Sequence, residues 1–203
     1  MRKTLALLAI ALSVFVLPAA PAAAKDKIVT YAEKEGKDVP TAGPDESEIV
    51  FIRGVVLGGV VAATIYERHD DGSLTFITAV YPKTYAVHKV APGKHIFAVA
   101  SEAADFIEVN VSAGKTYPIV VTPRMGVWKA RFSLLSAAPG TEFWEKVPTW
   151  LEKSTRVSPS AAGPEWFDKN KMSVLEKAGE YWPKWIARED RPIVKPEDGV
   201  DGL

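Results

Sequence analysis

Between Thr84 and Thr122 the chain repeats one local phrase, Val-x-x-Gly-Lys, first at Val90 to Lys94 and again at Val111 to Lys115. Each copy joins two runs of alternating apolar and polar residues, so each reads as a tight connection between strands, with Gly93 and Gly114 supplying the positive φ that such a link needs. One strand, a bend near Ser101 to Asp105 and a second strand fit between the two glycines. The stretch therefore predicts two successive β-hairpins, Tyr85 to Val99 and Phe106 to Val121, in an antiparallel meander. A βαβ unit does not fit.

The flanking sequence extends this pattern. Glu48 to Arg53 is rich in β-branched and aromatic residues and stops at Gly54; Val60 to Glu67 follows the Gly58-Gly59 break. Asp70-Asp71-Gly72 is turn chemistry, and Leu74 to Tyr81 returns as a strand closed by Pro82. Trp128 to Leu135 alternates again and closes the set. The expectation is a mainly β domain at 48–137, an antiparallel β-sandwich of about seven strands.

From Ala138 the apolar period lengthens from two to between three and four, which marks a domain edge near Pro139-Gly140 and a helical appendage at 138–188. Phe143, Trp144, Val147, Trp150 and Leu151 form a first helical stripe that Pro148 must kink or restart. A polar link at Ser154 to Gly163 leads to a longer helix, Pro164 to Arg188, with Phe167, Val174, Ala178, Tyr181 and Trp185 on one face and Pro183 in its last turn. Residues 189–203, with Pro192 and Pro196, read as a disordered tail.

At the other end, Arg2 and Lys3 precede an apolar run from Leu5 to Leu17, then Pro18 and Ala22-Ala23-Ala24. Residues 1–24 thus read as a signal peptide, and the run is too short for the ~20 residues a membrane span requires. No transmembrane segment is expected in the mature chain. Residues 25–47 are charged and poor in large apolar groups, a flexible leader with at most a short strand at Ile28 to Tyr31. The expected location is the periplasm or outside the cell.

The chain has 203 residues and no cysteine, which removes disulfides, thiol catalysis and a lipidated N-terminal cysteine together. Its 25 basic and 25 acidic side chains balance, so there is no electrostatic footprint for nucleic acid or anionic membrane.

Candidate chemistry is sparse. The three histidines are His69, His88 and His95. In a hairpin where Ala91 opposes Lys94, His88 and His95 share a face, but two ligands without a local carboxylate fall short of the three or four that zinc or copper needs. His69 beside Asp70 and Asp71 could suggest acid–base work, yet these residues before Gly72 are what a turn requires. No serine stands in a Gly-x-Ser-x-Gly setting, and Gly54 to Gly59 lacks a phosphate-loop lysine. No catalytic residue, metal or cofactor is expected.

All six tryptophans, Trp128, Trp144, Trp150, Trp166, Trp182 and Trp185, lie in the C-terminal part of the chain. Packed against the domain they are core anchors; left open they are a surface for a partner protein, glycan or membrane interface. Trp144 and Trp150 are expected to be buried, and Trp166, Trp182 and Trp185 are the candidate partner-binding residues.

The Ile-Val-Phe-Ile-Arg strand, the Tyr-Ala-Val-His-Lys-Val-Ala-Pro-Gly-Lys-His and Ala-Gly-Lys-Thr-Tyr segments and the closing Trp-Lys-Ala-Arg-Phe strand resemble a bacterial family of exported small β-sandwich proteins carrying a domain of unknown function. Many of its members are lipoproteins. The resemblance covers Ile49 to Leu135 and implies a periplasmic protein with no assigned catalytic residues; this chain departs from the lipoproteins in lacking cysteine. Together these readings give a non-catalytic periplasmic binding or accessory module for a small ligand or envelope protein. The alternative is a structural envelope protein that docks through its Trp-rich appendage.

Overall fold

A computed structural model describes residues 32–38, 40–55, 61–124 and 131–203. The expected signal peptide at 1–24, the short strand considered at Ile28 to Tyr31, the Gly58-Gly59 break and Trp128 lie outside these residues. The fold is mainly β, with two mixed sheets and a C-terminal helix.

Eleven strands are present among the described residues: β1 (Ala32–Gly36), β2 (Ser47–Arg53), β3 (Ala63–Arg68), β4 (Leu74–Val80), β5 (Thr84–Val90), β6 (Gly93–Ala100), β7 (Ala104–Val111), β8 (Thr116–Arg124), β9 (Arg131–Ser136), β10 (Thr155–Pro159) and β11 (Ile193–Val194). A six-stranded sheet runs β1-β10-β5-β2-β8-β9 and a five-stranded sheet runs β11-β7-β6-β3-β4. The expected all-antiparallel arrangement is corrected, because β2–β8 pair in parallel, as do β10–β5 and β11–β7. Against the about seven strands expected at 48–137, eight, β2 to β9, are present among the described residues there.

The predicted hairpins are corrected as well. β5 pairs with β2 and β10, whereas β6 pairs with β3 and β7, so Ala91-Pro92 carries the chain from one sheet to the other. The link around Gly114 does the same between β7 and β8. Both glycines do take positive φ, 139° at Gly93 and 74° at Gly114. They serve corners between sheets, and alternation alone could not tell a corner from a hairpin, since both leave the same residues facing inward. The true hairpin of this region is β6–β7, closed where Ser101 N–H donates to the Ala103 carbonyl at 3.0 Å, at the bend expected near Ser101. The Asp70-Asp71-Gly72 turn joins β3 to β4 as expected, with Ser73 N–H donating to Asp71 Oδ1 at 2.8 Å.

One apolar cluster draws on both sheets, including Ile49 and Phe51 of β2, Ile65 of β3, Phe97 and Val99 of β6, and Ile119 and Val121 of β8. Phe51 and Phe97 meet edge to face at 5.3 Å, the favoured aromatic geometry. Every residue of β2 is buried, because its other face, Val50 and Ile52, is covered in turn. That cover is a 3-10 turn at Trp144–Lys146 followed by helix α1 (Val147–Lys153), where Pro148 sits in the first turn and restarts the helix where an N–H would be spare.

The stretch after Pro139 adds a strand as well as helices to the fold. Thr155–Pro159, expected to be a polar link, is a strand inserted between β1 and β5, with Val157 in the shared core. Its single large apolar side chain hid it from a search for alternation. Residues 189–203 are ordered as well: β11 lies along β7, Val200 bridges Thr116, and Leu203 N–H donates to the Pro40 carbonyl at 3.2 Å. Prolines that exclude a helix are compatible with an edge strand and a short 3-10 turn.

Helix α2 (Ala162–Ile186) lies on the outer face of the five-stranded sheet. Its stripe of Phe167, Val174, Ala178 and Trp185 packs on Tyr66, Ile96, Ala98 and Phe106, the face opposite Ile65, Phe97 and Val99. The sheet thus shows apolar side chains on both sides, and α2 supplies the second layer that makes this stable.

Candidate functional site

Beside its buried stripe, α2 carries a second row, Trp166, Asn170, Ser173 and Lys177, at spacings of four, three and four. This row and the ends of β3 and β6 enclose a groove of about 370 Å³. Ala62, Ala100 and Val174 give it apolar lining, and Glu102 and Lys177 add one charge of each sign. Lys177 Nζ donates to the Ser101 carbonyl at 2.8 Å, while Asn170 Nδ2 donates to the Trp166 carbonyl at 2.7 Å and so orients its Oδ1. Thr64 Oγ1, buried beneath, donates to the Ala100 carbonyl at 2.7 Å.

Behind the Val61 and Tyr81 wall lies Arg53, fully buried. Its Nη1 donates to the carbonyls of Val61 (2.5 Å) and Val80 (3.3 Å), and its guanidinium sits 4.5 Å over the Phe132 ring. Burial brings its pKa down to about 10, which still leaves it charged at neutral pH. The cation anchors the wall through backbone carbonyls.

The expected tryptophan surface is redistributed. Trp185 is only 3% exposed, stacked on Trp182 at 5.2 Å and packed on Phe106 at 5.8 Å, so it belongs to the core and is corrected as a partner-binding residue. Trp182 is half-buried between Phe106 and the Arg68 guanidinium, which lies 3.8 Å over its ring. Trp166 is half-buried and lines the groove. Trp144 and Trp150, expected to be largely buried, are half-buried, because a 3-10 turn and a seven-residue helix cover the β2 face with one edge open.

A second cluster forms where the sequence offered only a hairpin pair. Glu67 on β3 points between the sheets; its Oε1 pairs with His95 Nδ1 at 2.6 Å and its Oε2 lies 3.9 Å from His88 Nε2. His95 Nε2 donates to the Ala91 carbonyl at 2.9 Å, and Phe97 lies against both imidazoles at 6.0 Å. The two histidines meet across the sheets and not across a ladder, and the carboxylate comes from a strand distant in sequence. His69 stays apart, with Nε2 2.7 Å from Thr75 Oγ1. Burial lowers the pKa of His88, opposed by the Glu67 charge and reinforced by His95. Among the described residues no group of three or more His, Asp or Glu side chains is placed to hold a metal ion together.

The groove residues Asn170, Ser173, Lys177 and Glu102 were missed by sequence reasoning, although a polar row flanking an apolar helical stripe was there to be read. Glu67 gave no signal, since only the fold brings it to the histidines. No family model and no curated protein matches the chain.

Proposed function

We propose that the two sheets face one another as a β-sandwich and that the protein is an exported, non-enzymatic module that binds a small ligand in the groove between α2 and the five-stranded sheet. The sandwich reading rests on the core that both sheets share, with Phe51 against Phe97. Export rests on the basic, apolar and small-residue layout of residues 1–24.

The observation that carries the binding site is the groove itself. A concavity with apolar lining, a few convergent polar groups and a half-buried indole is the usual anatomy of a ligand site, and its volume falls at the small end of the range of about 300–1,000 Å³. A small-molecule fragment screen by NMR tests this: hits should perturb the Trp166 indole and the Asn170 and Lys177 side chains. Hits that gather elsewhere, or a screen without any, would sink the reading.

A further inference from the structure

We infer that the ligand of this groove is a neutral, hydroxyl-rich ring, a saccharide unit laid against the Trp166 indole. The inference rests on the groove being the binding site and adds the chemistry of its occupant.

Charge complementarity points to a neutral ligand. Lys177 and Glu102 both line the groove, and the carbonyl of Ser101, next to Glu102 in the chain, already takes one of the three N–H donors of Lys177. An anionic ligand drawn to the lysine meets the Glu102 carboxylate, and a cationic one drawn to the glutamate meets the ammonium. The buried Arg53 cation does not tip the balance, since its Nη1 is directed to two backbone carbonyls behind the wall. A ligand with hydroxyls uses both signs at once, donating to Glu102 and accepting from Lys177.

The remaining groups match the two faces of a sugar ring. Asn170 spends one N–H on the Trp166 carbonyl and keeps its Oδ1 as an acceptor, and the exposed Ser173 hydroxyl can donate or accept. This polar row runs along one side of the groove, while Trp166, Ala62, Ala100 and Val174 offer apolar surface to the C–H face of a ring. The indole combines a broad apolar face with a polar tip. Helix α2 supplies Trp166, Asn170, Ser173, Val174 and Lys177, and the β6–β7 bend supplies Glu102.

The test uses the full chain and the indole N–H resonance of Trp166, assigned by its disappearance in W166F. Cellobiose and chitobiose serve as neutral probes, benzoate and benzylamine as charged ones. The saccharides should shift the Trp166 resonance, and Asn170→Ala and Glu102→Gln should each weaken the response at least tenfold. A response to benzoate or benzylamine with none to the saccharides would overturn the sugar and leave the groove as a ligand site. Saccharide shifts that survive both substitutions would overturn it by showing that the sugar is held elsewhere. Silence from all four probes would overturn the groove and the sugar together.

Discussion

The phenol of Tyr117 donates to the carbonyl of Pro196 at 3.0 Å, so a fully buried side chain of β8 holds down a segment 79 positions further along the chain. The same oxygen accepts from Ser112 N–H at 2.8 Å, which ties the β7–β8 corner to the tail through one hydroxyl. Removing that hydroxyl leaves a donor and an acceptor unpaired, so Tyr117→Phe should lower stability by about 1–3 kcal/mol. Urea denaturation checks it. Gly199→Val should cost more, since a Cβ there falls 2.6 Å from the Tyr117 ring, and an unchanged midpoint in both variants would refute the clamp.

The corner glycines make a cleaner case. A Cβ built on Gly93 or Gly114 meets nothing within 4 Å, so any penalty comes from the backbone alone. Gly93→Val and Gly114→Val should each destabilise by roughly 1–2 kcal/mol. Thermal melts superimposable on the parent protein would contradict this.

His88 gives a pH dependence whose sign follows from burial. Its folded-state pKa is lowered from 6.5, chiefly by desolvation, so as the pH falls below about 6.5 the unfolded chain takes up the proton first. Stability attributable to His88 is therefore intact above this pH and declines as the pH drops toward the folded-state value. Denaturation midpoints between pH 7.5 and 5 should fall for the parent and fall less steeply for His88→Gln. Equal slopes would rule out His88 as the source.

The tryptophans should separate by solvent access. Trp185→Ala should cost about 3–5 kcal/mol, the range for emptying a buried aromatic site. In single-Trp proteins acrylamide should quench Trp166 readily and Trp185 weakly. The reverse order would mean that α2 does not lie on the sheet as described.

Much of this fold was legible because alternation, turn chemistry and helical spacing are local. Asp70-Asp71-Gly72 fixed a turn, Phe167, Val174, Ala178 and Trp185 fixed a helix face, and Gly93 and Gly114 fixed two changes of direction. Pairing was not legible, because whether β6 lies beside β5 or across from it depends on edges already taken by β2, β10, β3 and β7. β10 and the tail were missed for the related reason that a short strand draws its stability from partners far away in sequence. In the site, Trp166 stood out by its residue type. Its polar companions had no mark beyond their place beside the buried stripe.

The position of β10 between β1 and β5 also has a kinetic meaning. Among the described residues β1 has no ladder partner until residues 155–159 arrive, more than a hundred positions later, and the parallel β2–β8 contact likewise waits for residues 116–124. Closing loops of that length comes before the contacts that reward it, which slows folding and leaves strand edges open in the interval. In a chain built in this way the β5 edge stays without β10 until residues 155–159 are in place, and that interval opens it to pairing with another copy of itself.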